Sequence, residues 1–314
     1  MSRQPTTTLS RRGFLEASAA LGIGGLLRHQ AGAAEATGVP ATAAGASLPL
    51  IARPIPSSGE HIPAIGIGTD SFREDVTDQI GAELKRMIEL GGTVIDTSDD
   101  YGDSEAIIGK ALAPLAARKK IFLATKCSNG PESFARSLEL LKTAKVDLLQ
   151  VHNLHGTAEI VATLQGWKKA GKIRYVGITT SSVSQHTQMA QEMRRYPLDF
   201  VQVDYSIDNR DAAGTILPLA LERKLAVLVN LPFGHSSLFR KAGERPLPPW
   251  ARDIDVTSWA QFFLKYVISH PAVTCAIPGS TKVSHLEDNQ AAGRGRLPDE
   301  AMRRKMEEYW DRGS

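Results

Sequence analysis

The sequence predicts an α/β fold: a (β/α)8 barrel with an N-terminal β-hairpin. Three observations predict it. Eight short apolar runs rich in β-branched residues recur, mostly 25–30 residues apart. The stretches between them carry apolar residues at helical spacing. The repeating part fills about 260 residues, the size of one such barrel. Strand–helix alternation at this interval gives βα units and a parallel sheet. Near-continuous apolar strands suit a sheet covered on both faces. An open doubly wound sheet is the alternative. It would carry a Gly-rich loop after its first strand, and Gly66-x-Gly68 lacks the third glycine and the helix start.

The elements follow in order. Residues 1–36 read as an export signal. Ser10-Arg11-Arg12-Gly13-Phe14-Leu15 is its charged start, Phe14 to Leu27 its apolar middle, and Ala31-Gly32-Ala33 or Ala34-Glu35-Ala36 its small-residue exit. The paired arginines resemble the twin-arginine type, which carries folded cargo to the periplasm. The apolar run is shorter than the ~20 residues of a membrane span, so no stable insertion is expected after cleavage. Residues 37–50 form a lead-in without periodicity, and residues 51–314 form the barrel. Ile51–Pro56 and His61–Ala64 flank Ser57-Ser58-Gly59 as a hairpin that plugs the lower end. The strands are Ala64–Gly68, Val94–Asp96, Ile121–Lys126, Leu148–His152, Tyr175–Thr179, Phe200–Asp204, Ala226–Leu231 and Val273–Ile277. Ile80, Leu84 and Met87 mark one helix face, and Phe134, Leu138 and Leu141 another. The proline-rich stretch from Pro232 to Trp259 reads as a loop over the upper rim, with Phe72, Trp250 and Trp259 as candidate pocket walls.

Charge excludes one class of partner. The chain has 37 Lys+Arg against 34 Asp+Glu. Without residues 1–36, which hold four Arg and two Glu, the balance is +1. That gives no electrostatic footprint for nucleic acid. Two cysteines, Cys127 and Cys275, make no disulfide framework.

In such a barrel the chemistry sits at the C-terminal ends of the strands. Three consecutive strands end in Asp96, Lys126 and His152, and Tyr101 follows Asp96 on the same loop. A buried Asp and Lys there need each other. A phenol holds its proton at neutral pH. A nearby ammonium favours the phenolate, and so eases proton delivery to a carbonyl oxygen. A neutral imidazole orients that carbonyl. None of these side chains supplies hydride, so a cofactor must.

These residues resemble the aldo-keto reductase superfamily. The resemblance rests on Gly92-Thr93-Val94-Ile95-Asp96-Thr97 with Tyr101-Gly102-x-Ser104-Glu105, and on Leu123-Ala124-Thr125-Lys126 and Asp147-Leu148-Leu149-Gln150-x-His152. Gly171-Lys172-Ile173-Arg174-Tyr175-Val176-Gly177-Ile178 and Ile277-Pro278-Gly279-Ser280 continue it, so it runs from about Ile62 to Asn289. It implies a (β/α)8 barrel that reduces aldehydes and ketones with NADPH or NADH, with Asp96, Tyr101, Lys126 and His152 as its catalytic tetrad. It places the nicotinamide carboxamide at Thr179, Thr180 and Gln202, where the family usually has Ser-Asn and Gln. The family's nicotinamide-stacking Tyr is replaced by Asn230, leaving Leu231, Pro232 and Phe233 to support the ring. Gly68 and Thr69 border the cofactor. At the adenosine end Ser280, Asp288 and Asn289 fit the pattern. The usual 2′-phosphate cations fall on Gly279 and His285, so Lys282 is the remaining cation. The Gly-Ser-Thr turn there offers backbone N–H groups to a phosphate. NADPH is the expected cofactor, with NADH possible, and a small carbonyl compound the expected substrate.

Two other classes stay open at this stage. One is a cofactor-bound sensor or partner subunit on the same fold. The other is a metal-dependent hydrolase using His152-x-x-His155, although no carboxylate pair matches those histidines, and no metal site is assigned.

Overall fold

The computed structural model describes residues 48–128 and 132–313. The export-signal reading, and most of the lead-in, lie outside the described residues. An antiparallel hairpin comes first, β1 (Ala52–Pro54) with β2 (His61–Pro63). Then strands and helices alternate: β3 (Ile67–Gly68), α1 (Thr77–Glu89), β4 (Val94–Asp96), α2 (Ser104–Leu112), β5 (Phe122–Cys127) and α3 (Ser133–Leu140). Next come β6 (Val146–Val151), α4 (Thr157–Lys169), β7 (Ile173–Thr179), α5 (His186–Arg195) and β8 (Phe200–Asp204). The chain continues through α6 (Asp211–Gly214), α7 (Ile216–Arg223), β9 (Ala226–Asn230), α8 (Ser237–Ala242) and α9 (Trp259–Ile268). It ends in β10 (Cys275–Ala276), α10 (Val283–Ala292) and α11 (Glu300–Asp311). Strands β3 to β10 are parallel and adjacent in chain order. Parallel bridges Ile65–Ala276 and Gly68–Gly279 join the first strand to the last and close the barrel. Gly68 is required at that seam, because a Cβ there would lie 2.7 Å from the carbonyl oxygen of Ile277.

The side-chain period of two sorts each strand into a barrel interior and a helix-facing layer. Val94, Phe122, Ala124, Leu148, Tyr175, Phe200, Ala226, Leu228, Cys275 and Ile277 form one buried cluster, the interior. Their chain neighbours Ile95, Leu123, Leu149, Val176, Val201 and Val227 join the helices in a second core. The hairpin contributes Ile55 and Ile62 to the interior cluster, so it plugs the lower end as expected. The Tyr175 hydroxyl donates to the Glu60 carboxylate at 2.7 Å, meets the Ser58 hydroxyl at 2.8 Å, and ties the plug to β7.

The same parity carries upward. Two residues beyond Val94, Ala124, Leu148, Phe200 and Leu228 stand Asp96, Lys126, Gln150, Gln202 and Asn230. A polar layer therefore caps an apolar interior. The hydrogen bonds below show that these side chains meet.

The stretch between Pro232 and Trp259 is more ordered than the loop read from its prolines. It contains α8 and a 3-10 turn over Pro249–Ile254. Its aromatic residues serve packing. Trp259 stacks on Phe263 at 5.3 Å, Trp250 meets Phe262 and Tyr309 at 6.0 Å, and Phe72 is fully buried. None of the three lines the cleft described next. Among the described residues, no helix is long and apolar enough to cross a membrane.

Candidate active site

A cleft of about 600 Å³ opens at the C-terminal ends of the strands. Asp96, Tyr101 and His152 line it, and Lys126 lies buried beside them. The Lys126 ammonium donates to Asp96 Oδ2 at 2.5 Å and to the Thr97 carbonyl at 2.8 Å. The Tyr101 ring lies beside it, with Nζ 4.7 Å from the ring centroid. Asp96 Oδ1 accepts from the Gln150 amide at 3.1 Å and the Gln202 amide at 2.9 Å. Thus, among the described residues, every hydrogen-bond partner of the Asp96 carboxylate is a donor.

The electrostatics follow from burial and these partners. Burial alone would favour a neutral Lys126, but Asp96 and Tyr101 outweigh it and hold the amine charged above its usual range. Burial lifts the Tyr101 phenol above its ordinary value, opposed by the Lys126 charge. His152 moves the other way. Burial, then the Lys126 charge, keeps its imidazole neutral below the usual range. Its ring meets Tyr101 edge-on, with centroids 5.8 Å apart. A phenol still holding its proton, a fixed cation and a neutral imidazole therefore share one rim.

Of the residues expected at the cofactor, Gly68, Thr69, Gln202, Asn230, Leu231, Pro232, Phe233, Ser280 and Lys282 line the cleft. Four do not. Thr179 accepts the Asn153 backbone N–H at 2.9 Å, and Thr180 donates to Gln185 at 2.6 Å. Both hydroxyls hold loop segments, and Asn153 and Ser181 stand at the wall instead. Asp288 accepts from Gln261 at 2.6 Å and Asn289 is buried. Sequence reasoning missed Asn153, Ser181 and Asp70 in the wall, and Gln150 as a partner of Asp96. Parity along β6 offered a signal for Gln150, two residues before His152.

The residues present fit a nicotinamide dinucleotide. Asn230 spends its amide N–H groups on the Thr180 carbonyl and Gln202, leaving Oδ1 buried without a partner among the described residues, at the cleft wall. That orphan acceptor suits a carboxamide N–H. At the opposite end Ser280, Thr281, Lys282 and His285 cluster at the start of α10, a donor set suited to phosphate.

Comparison with known proteins decides the family. The model of the "Aldo/keto reductase family" matches residues 64–309. The chain belongs to the aldo/keto reductase family. Methylglyoxal reductase YeaE of Escherichia coli is 28% identical over 250 residues, covering 75% of this chain and 87% of that protein. Aldo-keto reductase str7 of Strobilurus tenacellus is 27% identical over 269 residues, covering 69% of this chain and 78% of its own. Among solved structures, an aldo/keto reductase from Klebsiella pneumoniae in complex with NADPH superposes with a TM-score of 0.67 at 27% identity. It covers 80% of this chain and 92% of that one. AKR11C1 from Bacillus halodurans gives a TM-score of 0.69 at 24% identity over 83% and 96% of the two chains, a likeness of fold. As an aldo/keto reductase, the chain is an NAD(P)H-dependent oxidoreductase acting on carbonyl and alcohol groups.

Proposed function

We propose that this aldo/keto reductase reduces small aldehydes and ketones with NADPH, and that Tyr101 delivers the proton to the carbonyl oxygen. The observation that carries this is the buried Asp96–Lys126 pair set against the Tyr101 phenol at the wall of the cleft. When bound, the nicotinamide supplies the hydride that no side chain here can give. Asn230, Asn153, Ser181 and Gln202 would hold the nicotinamide end, and Ser280, Thr281 and Lys282 the phosphates. The Lys126 charge stabilises negative charge as it grows on the phenol oxygen, so the proton leaves Tyr101 more readily. Asp96 keeps Lys126 charged and fixed. His152 holds the substrate oxygen by a hydrogen bond, within the geometry that proton transfer needs.

NADPH is favoured by the Klebsiella relative, which was solved with it, and by Lys282 at the phosphate end. The methylglyoxal reductase relative makes a 2-oxoaldehyde the first substrate to assay. The test is NADPH consumption by the full chain with a panel of aldehydes, ketones and 2-oxoaldehydes, with identification of the alcohol formed. Turnover yielding the alcohol is expected. Nucleotide binding without turnover of any carbonyl compound would favour a sensor role instead.

The same proposal extends to location. Residues 1–36 direct export through the twin-arginine route, with cleavage after Ala33 or Ala36, and NADPH enters before export and stays bound. The Arg11-Arg12 pair followed by Gly13-Phe14-Leu15 supports this. Fractionation with Arg11→Lys/Arg12→Lys as control tests it. Cytoplasmic retention of the unaltered chain, or nucleotide-free protein in the periplasm, would contradict it.

A further inference from the structure

His152 does useful work on a carbonyl only if its neutral ring carries its proton on the nitrogen facing the cleft. The residues behind the ring decide which nitrogen that is. Ser128 Oγ lies 2.6 Å from His152 Nδ1, and Ser98 Oγ lies 3.4 Å from the same atom. Ser128 is held from its own backbone. Both carboxylate oxygens of Asp99 accept its N–H, at 3.0 and 3.1 Å. Ser98 is committed as well. Its hydroxyl reaches Asp99 Oδ1 at 3.3 Å, and its oxygen accepts the Asp100 N–H at 3.2 Å.

Proton counting separates the two tautomers. A hydroxyl has one proton to give, and a carboxylate is the stronger acceptor, so the Ser98 proton goes to Asp99. Among the described residues, the Ser128 proton then has two acceptors in reach, His152 Nδ1 at 2.6 Å and Ser98 Oγ at 3.4 Å. If Nδ1 carried the imidazole proton, Ser128 would have to turn its own proton to the distant Ser98. If Nδ1 is bare, Ser128 donates over the short contact and every proton has a near acceptor.

We propose that Ser128, gripped by Asp99, is a positioning residue that donates to His152 Nδ1 and thereby fixes the Nε2–H tautomer that faces the substrate carbonyl. Ser128 acts through His152 and touches no reacting atom. This inference rests on the carbonyl-reduction reading for its purpose, but not for its measurement. The motif reading stopped at Lys126, two residues earlier, and passed over Ser128.

The test is the nitrogen NMR spectrum of the full chain labelled with 15N-histidine. The chain has 8 His, so the His152 signals are assigned by their loss in His152→Gln. The wild-type ring is expected as the Nε2–H tautomer. Ser128→Ala is expected to give a tautomer mixture and to lower kcat about tenfold, with KM for NADPH unchanged. Ser128→Thr, which keeps the hydroxyl, should restore both readouts, and Ser98→Ala should change little. A wild-type ring protonated on Nδ1 would overturn the inference, even if no variant folds. So would an unchanged tautomer in Ser128→Ala. If the chain turns over no carbonyl compound, the reaction proposal fails while the spectrum still decides the Ser128 inference.

Discussion

Asp96→Asn is the perturbation whose cost the geometry fixes most closely. The Lys126 amine and the Asp96 carboxylate are both essentially excluded from solvent, at 1% and 2% side-chain exposure. Unit charges 2.5 Å apart attract by about 7 kcal/mol at an effective dielectric of ~20. Desolvation of both charges offsets much of that attraction. Removing one partner strands the other, which costs about 3–5 kcal/mol. The amide makes matters worse. Lys126, Gln150 and Gln202 all present donors to Asp96, so the new NH2 group faces a donor in either orientation. At roughly 2–4 °C per kcal/mol for a domain of this size, the midpoint should fall by about 6–20 °C. The assay is calorimetric melting of Asp96→Asn, Lys126→Met and the double variant. The double variant should be more stable than additivity allows, with about 2–3 kcal/mol of coupling. Additive losses within about 0.5 kcal/mol would refute the buried-pair reasoning.

Three further outcomes are expected. Lys282→Ala should weaken NADPH binding more than NADH binding in fluorescence titrations; equal losses would remove Lys282 from the 2′-phosphate. Glu83, fully buried on α1, has no hydrogen-bond partner for either carboxylate oxygen among the described residues. Burial pushes its carboxyl above the usual range, opposed by the nearby Ser280 hydroxyl. The folded state then keeps that proton where the unfolded chain has lost it, so stability falls as pH rises above the ordinary carboxylate pKa. Glu83→Gln should flatten that slope in chemical denaturation across pH, and an unchanged slope would assign it to other groups. Gly68→Ala places a methyl 2.7 Å from a backbone oxygen at the seam of the barrel, and should cost about 1–3 kcal/mol in the same measurement.

The strand order was legible because each βα unit carries its own period-two and helical patterns. Those patterns depend only on which side of a strand is apolar. The four rim residues were legible for a related reason. Asp96, Lys126 and His152 sit at strand ends, where polar side chains break apolar runs, and Tyr101 lies on the loop that Asp96 opens. What could not be read was which way loop hydroxyls turn. Thr179 ends β7 and Thr180 follows it as the motif requires, yet their hydroxyls hold Asn153 and Gln185, because buried loop backbone and amides need partners. Nor could composition separate packing aromatics from pocket walls. Trp259 joins Trp310 and Tyr309 around the guanidinium of Arg245. That contact spans more than 50 residues of chain and leaves no local pattern. Asn153, with φ of 49°, sits in a turn immediately after His152 that no single-residue signal marked.

The account turns on the Tyr101 hydroxyl as the proton source. The most direct measurement is Tyr101→Phe of the full chain, with NADPH binding followed by fluorescence and carbonyl reduction followed at saturating nucleotide. Unchanged nucleotide affinity with turnover reduced at least about a hundredfold is the expected result. Turnover within a few-fold of the unaltered protein would show that the proton comes from elsewhere.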